Sequence, residues 1–185
     1  MRLDHLAYRV QDRFKAANAI KAMLGYSVAT EFDIKFDDGS TAECIVMTPP
    51  EKNNQIGKII AIPWATRSAG IGKPIEHHLA PEIFISDGSE GSIVGEWVRS
   101  RGGVGGIHHA AYQVDNIDDV VGKWRSAGIE FLSDSIIDCP EDDLRQIFTK
   151  PMEDMGGIIF ELIERGEKGF CQNSVKDLMN STKEV

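Results

Sequence analysis

Two stretches of this chain are versions of one another. Leu3 to Val10 reads LDHLAYRV and Gly106 to Val114 reads GIHHAAYQV; superposed, they set His5 on His109, Ala7 on Ala111, Tyr8 on Tyr112 and Val10 on Val114. The elements that follow each stretch come in the same order, so the chain reads as two copies of one module. A repeat of this kind constrains the fold because a single four-stranded sheet leaves one face uncovered. Two such sheets placed side by side can bury both concave faces around a shared cavity.

In the first module Asp12 is an N-cap, Phe14, Ala17, Ile20 and Leu24 recur at helical spacing, and Gly25 supplies the stop. SVATEFDIKF, TAECIVM and KIIAIPW then read as three strands, giving β-α-β-β-β over residues 1–65. Residues 66–103 read as a connector holding at most a short strand in HHLAPEIFISD and a helix in SIVGEWVRSRGG. The second module, 104–167, has its strand at 107–114 and a helix capped by Asn116 with Ile117, Val120, Val121 and Trp124 as its buried stripe. FLSDSII, LRQIFTKP and GIIFELIER follow as strands, and the tail 168–185 carries a terminal helix in VKDLMNS. The expected fold class is α+β, two βαβββ modules paired into an open barrel around a metal site.

The formal net charge of −9 works against non-specific binding to nucleic acid or an anionic membrane, which needs clustered Lys and Arg. No apolar run approaches the ~20 residues of a membrane span, and MRLDHLAYRV lacks the pattern of a signal peptide. The expectation is a cytoplasmic protein with a small-molecule partner. Cys44, Cys139 and Cys171 have no CxxC spacing, so they read as free thiols rather than as zinc ligands or a disulfide framework.

Strand alternation places His5, Ala7 and Arg9 on one face, with His109, Ala111 and Gln113 on the matching face of the second module. By this parity His109 points into the cavity and His108 points away. Glu161 interrupts the apolar run of GIIFELIER, where an ionised carboxylate is costly to bury unless it meets a cation. Aligning GIIFELIE with GKIIAIPW sets Ala61 opposite Glu161, so no fourth donor is expected from the first module. Two imidazoles and one carboxylate with open positions is the donor set of non-haem Fe(II) oxygenases. Fe(II), Zn, Co, Mn and Ni can all bind such donors, so ligand type alone does not fix the metal. The paired histidines of the connector, His77 and His78, are expected to take no part.

The βαβββ repeat with donors on its first and last strands resembles the vicinal oxygen chelate superfamily. Within it, LRQIFTKP followed by FELIERGEKGF is similar to the LQIFTKP and FEIIQR.G..GFG.GNF pattern of the 4-hydroxyphenylpyruvate dioxygenase family, and GGIHHAAYQV resembles its G.QHIAL. The likeness covers essentially the whole chain, which corresponds to the C-terminal, catalytic half of that longer enzyme. It implies His5, His109 and Glu161 as iron ligands, Gln146 as a substrate-pocket residue, and Phe148 and Phe170 as aromatic groups around the substrate. It also implies a 2-oxo acid and O2 as reactants and, with exposed edge strands, a homodimer as an option. Several pocket groups of that family are replaced: an asparagine by Pro63, a glutamine by Ile93, a serine by Cys44. Two rival readings remain open, a metal-dependent isomerase or lyase of the glyoxalase or epimerase type and a non-catalytic binding protein of the same fold.

Overall fold

Strands β1 (Arg2–Val10) and β5 (Gly105–Gln113), the two repeat-equivalent segments, pair antiparallel at the centre of the molecule. The structure, a computed structural model, describes residues 1–50, 80–140, 143–166 and 172–183. After β1 come α1 (Arg13–Leu24), β2 (Ser27–Lys35), β3 (Thr41–Thr48) and β4 (Glu82–Gly88). A helix, α2 (Ile93–Ser100), leads to β5, which is followed by α3 (Ile117–Ser126), β6 (Ile137–Cys139), β7 (Leu144–Phe148), β8 (Ile159–Arg165) and α4 (Gln172–Ser181). The eight strands form one sheet in the order β2-β3-β4-β1-β5-β8-β7-β6. Each module sets its last strand parallel to its first, β4 on β1 and β8 on β5, so the two halves curl into a half-barrel about the central seam. This is the expected α+β architecture of two βαβββ modules, of the vicinal oxygen chelate type.

The local signals explain most of the elements. Asp12 and Asn116 accept hydrogen bonds from the backbone N–H of Lys15 and Asp119, capping α1 and α3, and Gly25 ends α1 in the left-handed region at φ 73°. The convex face of the sheet packs Ile45, Met47, Ile83 and Ile85 beneath α1, and Ile147 and Leu162 against Ile117 and Val121 of α3. Each such buried aliphatic side chain contributes about 1.5–3 kcal/mol. On the concave face, α4 lays Val175 and Met179 over Ala7, Cys44 and Phe84, and Leu178 over Phe148 and Ile159.

Three expectations need correction. The place beside β1 belongs to Glu82–Gly88, from the expected connector, whereas KIIAIPW, with Ala61 and Pro63, lies outside the described residues. Both segments carry the same apolar signal; β4 is buried on both faces, at Ile83, Phe84 and Ile85, as a strand between two neighbours must be. FLSDSII contributes only its end to β6, because Ser133 turns back to donate to the Ser135 carbonyl at 2.7 Å, and Phe131 makes a single bridge to Thr149. Finally, the α1 stripe is half exposed: Ala17 is buried, but Phe14 and Leu24 face outward at 50% and 56% exposure.

The seam is held close by Gly105, whose φ is 78° and where any β-carbon would collide with the Arg9 carbonyl oxygen. Gly105→Ala should therefore destabilise the fold by about 2 kcal/mol or more. Urea denaturation of the two proteins checks this, and an unchanged midpoint would show that the seam can open without cost.

Candidate metal centre

Sheet register brings the expected donors together. Ala111 lies opposite His5 on one side and Glu161 on the other, and Glu161 in turn faces Phe148, so one row runs across β1, β5, β8 and β7. His109 sits in the adjacent row, between Ala7 and Ile159. The result is a triangle of donor atoms. His5 Nε2 and His109 Nε2 are 3.3 Å apart, and Glu161 Oε2 lies 3.4 Å from the first and 3.2 Å from the second. All three residues are buried, Glu161 completely.

These donors form a candidate divalent-metal site, the one such group of three or more among the described residues. Donors at about 2.1 Å from one ion stand about 3.0 Å apart at right angles and about 3.4 Å apart at the tetrahedral angle, so the triangle has the size an ion requires. The carboxylate makes the same point chemically. Neither oxygen of Glu161 has a hydrogen bond of good geometry, although both are shielded from water. An ionised group there needs a cation close by, which protonated His5 at 3.4 Å supplies in the metal-free protein and which a divalent ion would supply in its place. The repeat-equivalent of Glu161 is Phe84, which lies opposite Ala7 as Glu161 lies opposite Ala111. Phe84 thus takes the place that sequence alignment gives to Ala61, and an aromatic ring stands where a fourth donor would come from.

The seam contains two irregularities that parity alone does not foresee. Between Leu3 and His5 the register gains a residue on β1, Asp4, and between Ala7 and Tyr8 it gains one on β5, His108. A bulge of this kind turns the extra side chain out of strict alternation. Asp4 Oδ1 consequently accepts from His5 Nδ1 at 2.9 Å, and Arg165 Nη2 donates to the same oxygen at 2.6 Å. His108 Nδ1 meets His109 Nδ1 at 2.8 Å. Contrary to the parity reading, His108 is buried beside His109 and lines the cavity. Each donor histidine is therefore held by the residue that precedes it. Sequence reasoning misses Asp4, whose only signal is its place immediately before His5.

Charge is distributed unevenly over the centre. Burial pulls the His5 imidazole down, but the hydrogen bond to Asp4, the close approach of Glu161 and the charges of both carboxylates outweigh it and push the group up to about 9. Burial raises Glu161, and both imidazoles more than reverse this, bringing it down to about 2. Burial depresses His109, and it depresses His108 strongly, with Arg9 and His109 adding to the effect. Without metal the centre thus holds an ionised Glu161, a protonated His5 and a neutral His109.

Of the other expected residues, Phe148 lines the cavity with its ring 4.9 Å from that of His109. Gln146 is fully buried on the same strand face, opposite Ile163, with neither amide atom hydrogen-bonded. Cys44 and Ile93 pack in the apolar cluster around Phe84. Arg9 points inward, at 3% exposure. Phe170, Cys171, His77 and His78 lie outside the described residues.

No protein-family model matches the chain. Its fold is shared with solved structures. A selenomethionyl methylmalonyl-CoA epimerase aligns with a TM-score of 0.60 at 21% identity over 90% of this chain and 97% of that one. The methylmalonyl-CoA epimerase of Mycobacterium tuberculosis aligns at 0.57 and 21%, over 89% and 88%. A mutant 4-hydroxymandelate synthase from Streptomyces coelicolor aligns at 0.71 and 17%, over 98% of this chain and 54% of that one, so the chain spans about half that enzyme's length.

Two measurements follow from the centre's electrostatics. In the metal-free protein the His5 interactions should stabilise the fold fully below pH 6.5 and be lost as pH rises through about 9, a fall of about 3 kcal/mol absent from His5→Asn. Chemical denaturation across that range reads it; a flat profile in the unmodified protein is the adverse result. Asp4→Asn should lower Zn(II) affinity by about 10–100-fold, as loss of a carboxylate behind a ligating histidine does elsewhere, measured by competition with a chromogenic chelator.

Proposed function

We propose that the protein is a metal-dependent enzyme whose centre is His5, His109 and Glu161, and that it is an oxygen-dependent one acting on a 2-oxo acid. The observation that carries this reading is Phe84. A first-module donor in that position would close the centre to four protein ligands; a phenyl ring leaves two or three positions for substrate and O2. Fe(II) is the metal that such a three-donor set suits, and when bound it supplies redox chemistry and a Lewis acid for the substrate's carboxylate and oxo oxygens.

The chain's own residues have definite parts in this scheme. His5 and His109 present Nε2 to the ion because Asp4 and His108 engage their Nδ1 atoms. Glu161 brings one negative charge into a site otherwise lined by apolar and cationic groups. Phe148 and Phe84 form aromatic walls, and Val175, Leu178 and Met179 of α4 cover the cavity from above. Together they exclude water, which strengthens the electrostatics of whatever is bound and protects reactive species. Gln146 is a pocket residue in this proposal, and Phe170 a further aromatic one.

A second reading is favoured by a different observation. The two epimerases align over 97% and 88% of their own length, so an enzyme of this size need not be half of a larger one. Metal-assisted isomerisation through an enolate would require a proton-moving group near the metal and no O2.

The test is anaerobic purification with metal analysis, followed by oxygen-electrode measurements with aromatic and aliphatic 2-oxo acids. We expect one iron per chain, 2-oxo-acid-dependent O2 uptake, and loss of both in His109→Ala. Turnover restored by Co(II) or Zn(II) under nitrogen would establish the isomerase instead. Full metal retention without any turnover would leave a binding protein.

A further inference from the structure

Arg9 is the group that the proposed chemistry leaves unused. It sits on the cavity side of β1, 3% exposed, and lines the same cavity as His5, His109 and His108. Its Nη2 donates to Thr182 Oγ1 at 2.8 Å, whereas its Nη1 is shielded from water and has no partner. No carboxylate among the described residues pairs with it. A charge of the same sign acts on it: Arg101 stacks on Trp97 at 3.7 Å, the ring whose centroid lies 5.8 Å from the Arg9 guanidinium. Burial and Arg101 together bring the Arg9 group down to about 9, so it remains a cation at neutral pH. A buried cation with no counter-ion among the described residues is costly for a fold to retain. Arg13 and Arg145, by contrast, both meet carboxylates.

A second unsatisfied donor stands close by. His108 Nε2 is buried without a partner, and its ring is 5.3 Å from the same Trp97. With His109 bound through Nε2, its Nδ1 carries the proton and donates to His108 Nδ1, which leaves the His108 proton on Nε2. Arg9 Nη1 and His108 Nε2 are therefore N–H donors at the cavity with no acceptor for either among the described residues. Charge points the same way. A divalent ion and Arg9 exceed the single charge of Glu161 by two, while Asp4 and Arg165 neutralise each other.

We infer that the cavity takes a doubly anionic ligand: a 2-oxo acid whose carboxylate and oxo oxygens reach the metal centre and whose second, distal carboxylate is held by Arg9, with His108 Nε2 as a supporting donor. This rests on the metal-centre reading for the chelating end only; the Arg9 end stands on its own observations. Arg9 is a specificity-determining residue in this scheme. It selects a dicarboxylate over a monocarboxylate or a neutral-tailed 2-oxo acid.

The experiment compares 2-oxoadipate with 2-oxohexanoate, which share a carbon skeleton and differ by one charge. Calorimetric titration into Zn(II)-loaded protein should show the dicarboxylate binding about tenfold or more tightly. Arg9→Met should abolish that preference and Arg9→Lys should restore most of it, with Zn(II) content unchanged in all three. Equal affinities in the unmodified protein, or a preference that survives in Arg9→Met, would overturn the inference. Oxalate, which offers only the chelating end, should bind all three alike. Should the protein hold no Zn(II), the metal reading fails, and the anion site is then read in metal-free protein by hexanoate. That probe should raise the melting temperature of the unmodified protein and not of Arg9→Met; no difference between them would overturn it. Arg9→Met should itself melt no lower than the unmodified protein, since it removes an unpaired buried charge. A marked drop in melting temperature with the dicarboxylate preference intact would make Arg9 structural.

Discussion

The β1–β5 pairing is the contact on which the rest of the molecule depends. It joins the two modules into one sheet, and its register decides which side chains meet. Had it slipped by one residue, one strand would have turned over relative to the other and one of the two histidines would have left the cavity for the convex face. The bulges at Asp4 and His108 add something a regular ladder cannot. In strict alternation the residue before each histidine would point away from it; with one extra residue on each strand it lies behind the ring and fixes its orientation. Both modules use the same device on the same side of their donor, one with a carboxylate and one with an imidazole.

The difference between those two supports matters electrostatically. Asp4 draws positive charge onto His5, whereas burial, with the charges of His5 and Arg9, keeps His109 neutral, and His108 is kept neutral by its own burial and by Arg9. The two halves of a repeated fold thereby hold chemically unequal donors. A similar divergence separates Glu161 from Phe84. Register makes the two equivalent, but one contributes a charge to the centre and the other an aromatic wall that belongs to the apolar cluster under α4.

Much of this is legible in the sequence, for identifiable reasons. His5, His109 and Glu161 announce themselves because a repeat fixes two positions at once and because a carboxylate inside an apolar run has few physical explanations. Parity turns Arg9 to the same side, but an arginine at a strand end reads first as solvent-exposed, and the structure buries it instead. The last strand of the first module is misplaced by sequence because KIIAIPW and EIFISDG carry equal apolar signals, and only sheet pairing ranks them. Parity sends His108 to the wrong face because alternation assumes an unbroken ladder; no residue type marks the bulge. The role of Asp4 is hidden by the same assumption. The exposed half of the α1 stripe reflects a helix that touches the sheet through Ala16, Ala17 and Ile20 rather than through Phe14 and Leu24.

The replacement of a donor by Phe84 has a geometric consequence. With four donors related by the pseudo-two-fold, a flat chelating ligand could enter either way round at equal cost. Glu161 on one side, with Phe84 and Arg9 on the other, removes that equivalence. The surroundings of the centre become as asymmetric as its backbone, and the two sides of the cavity are no longer interchangeable.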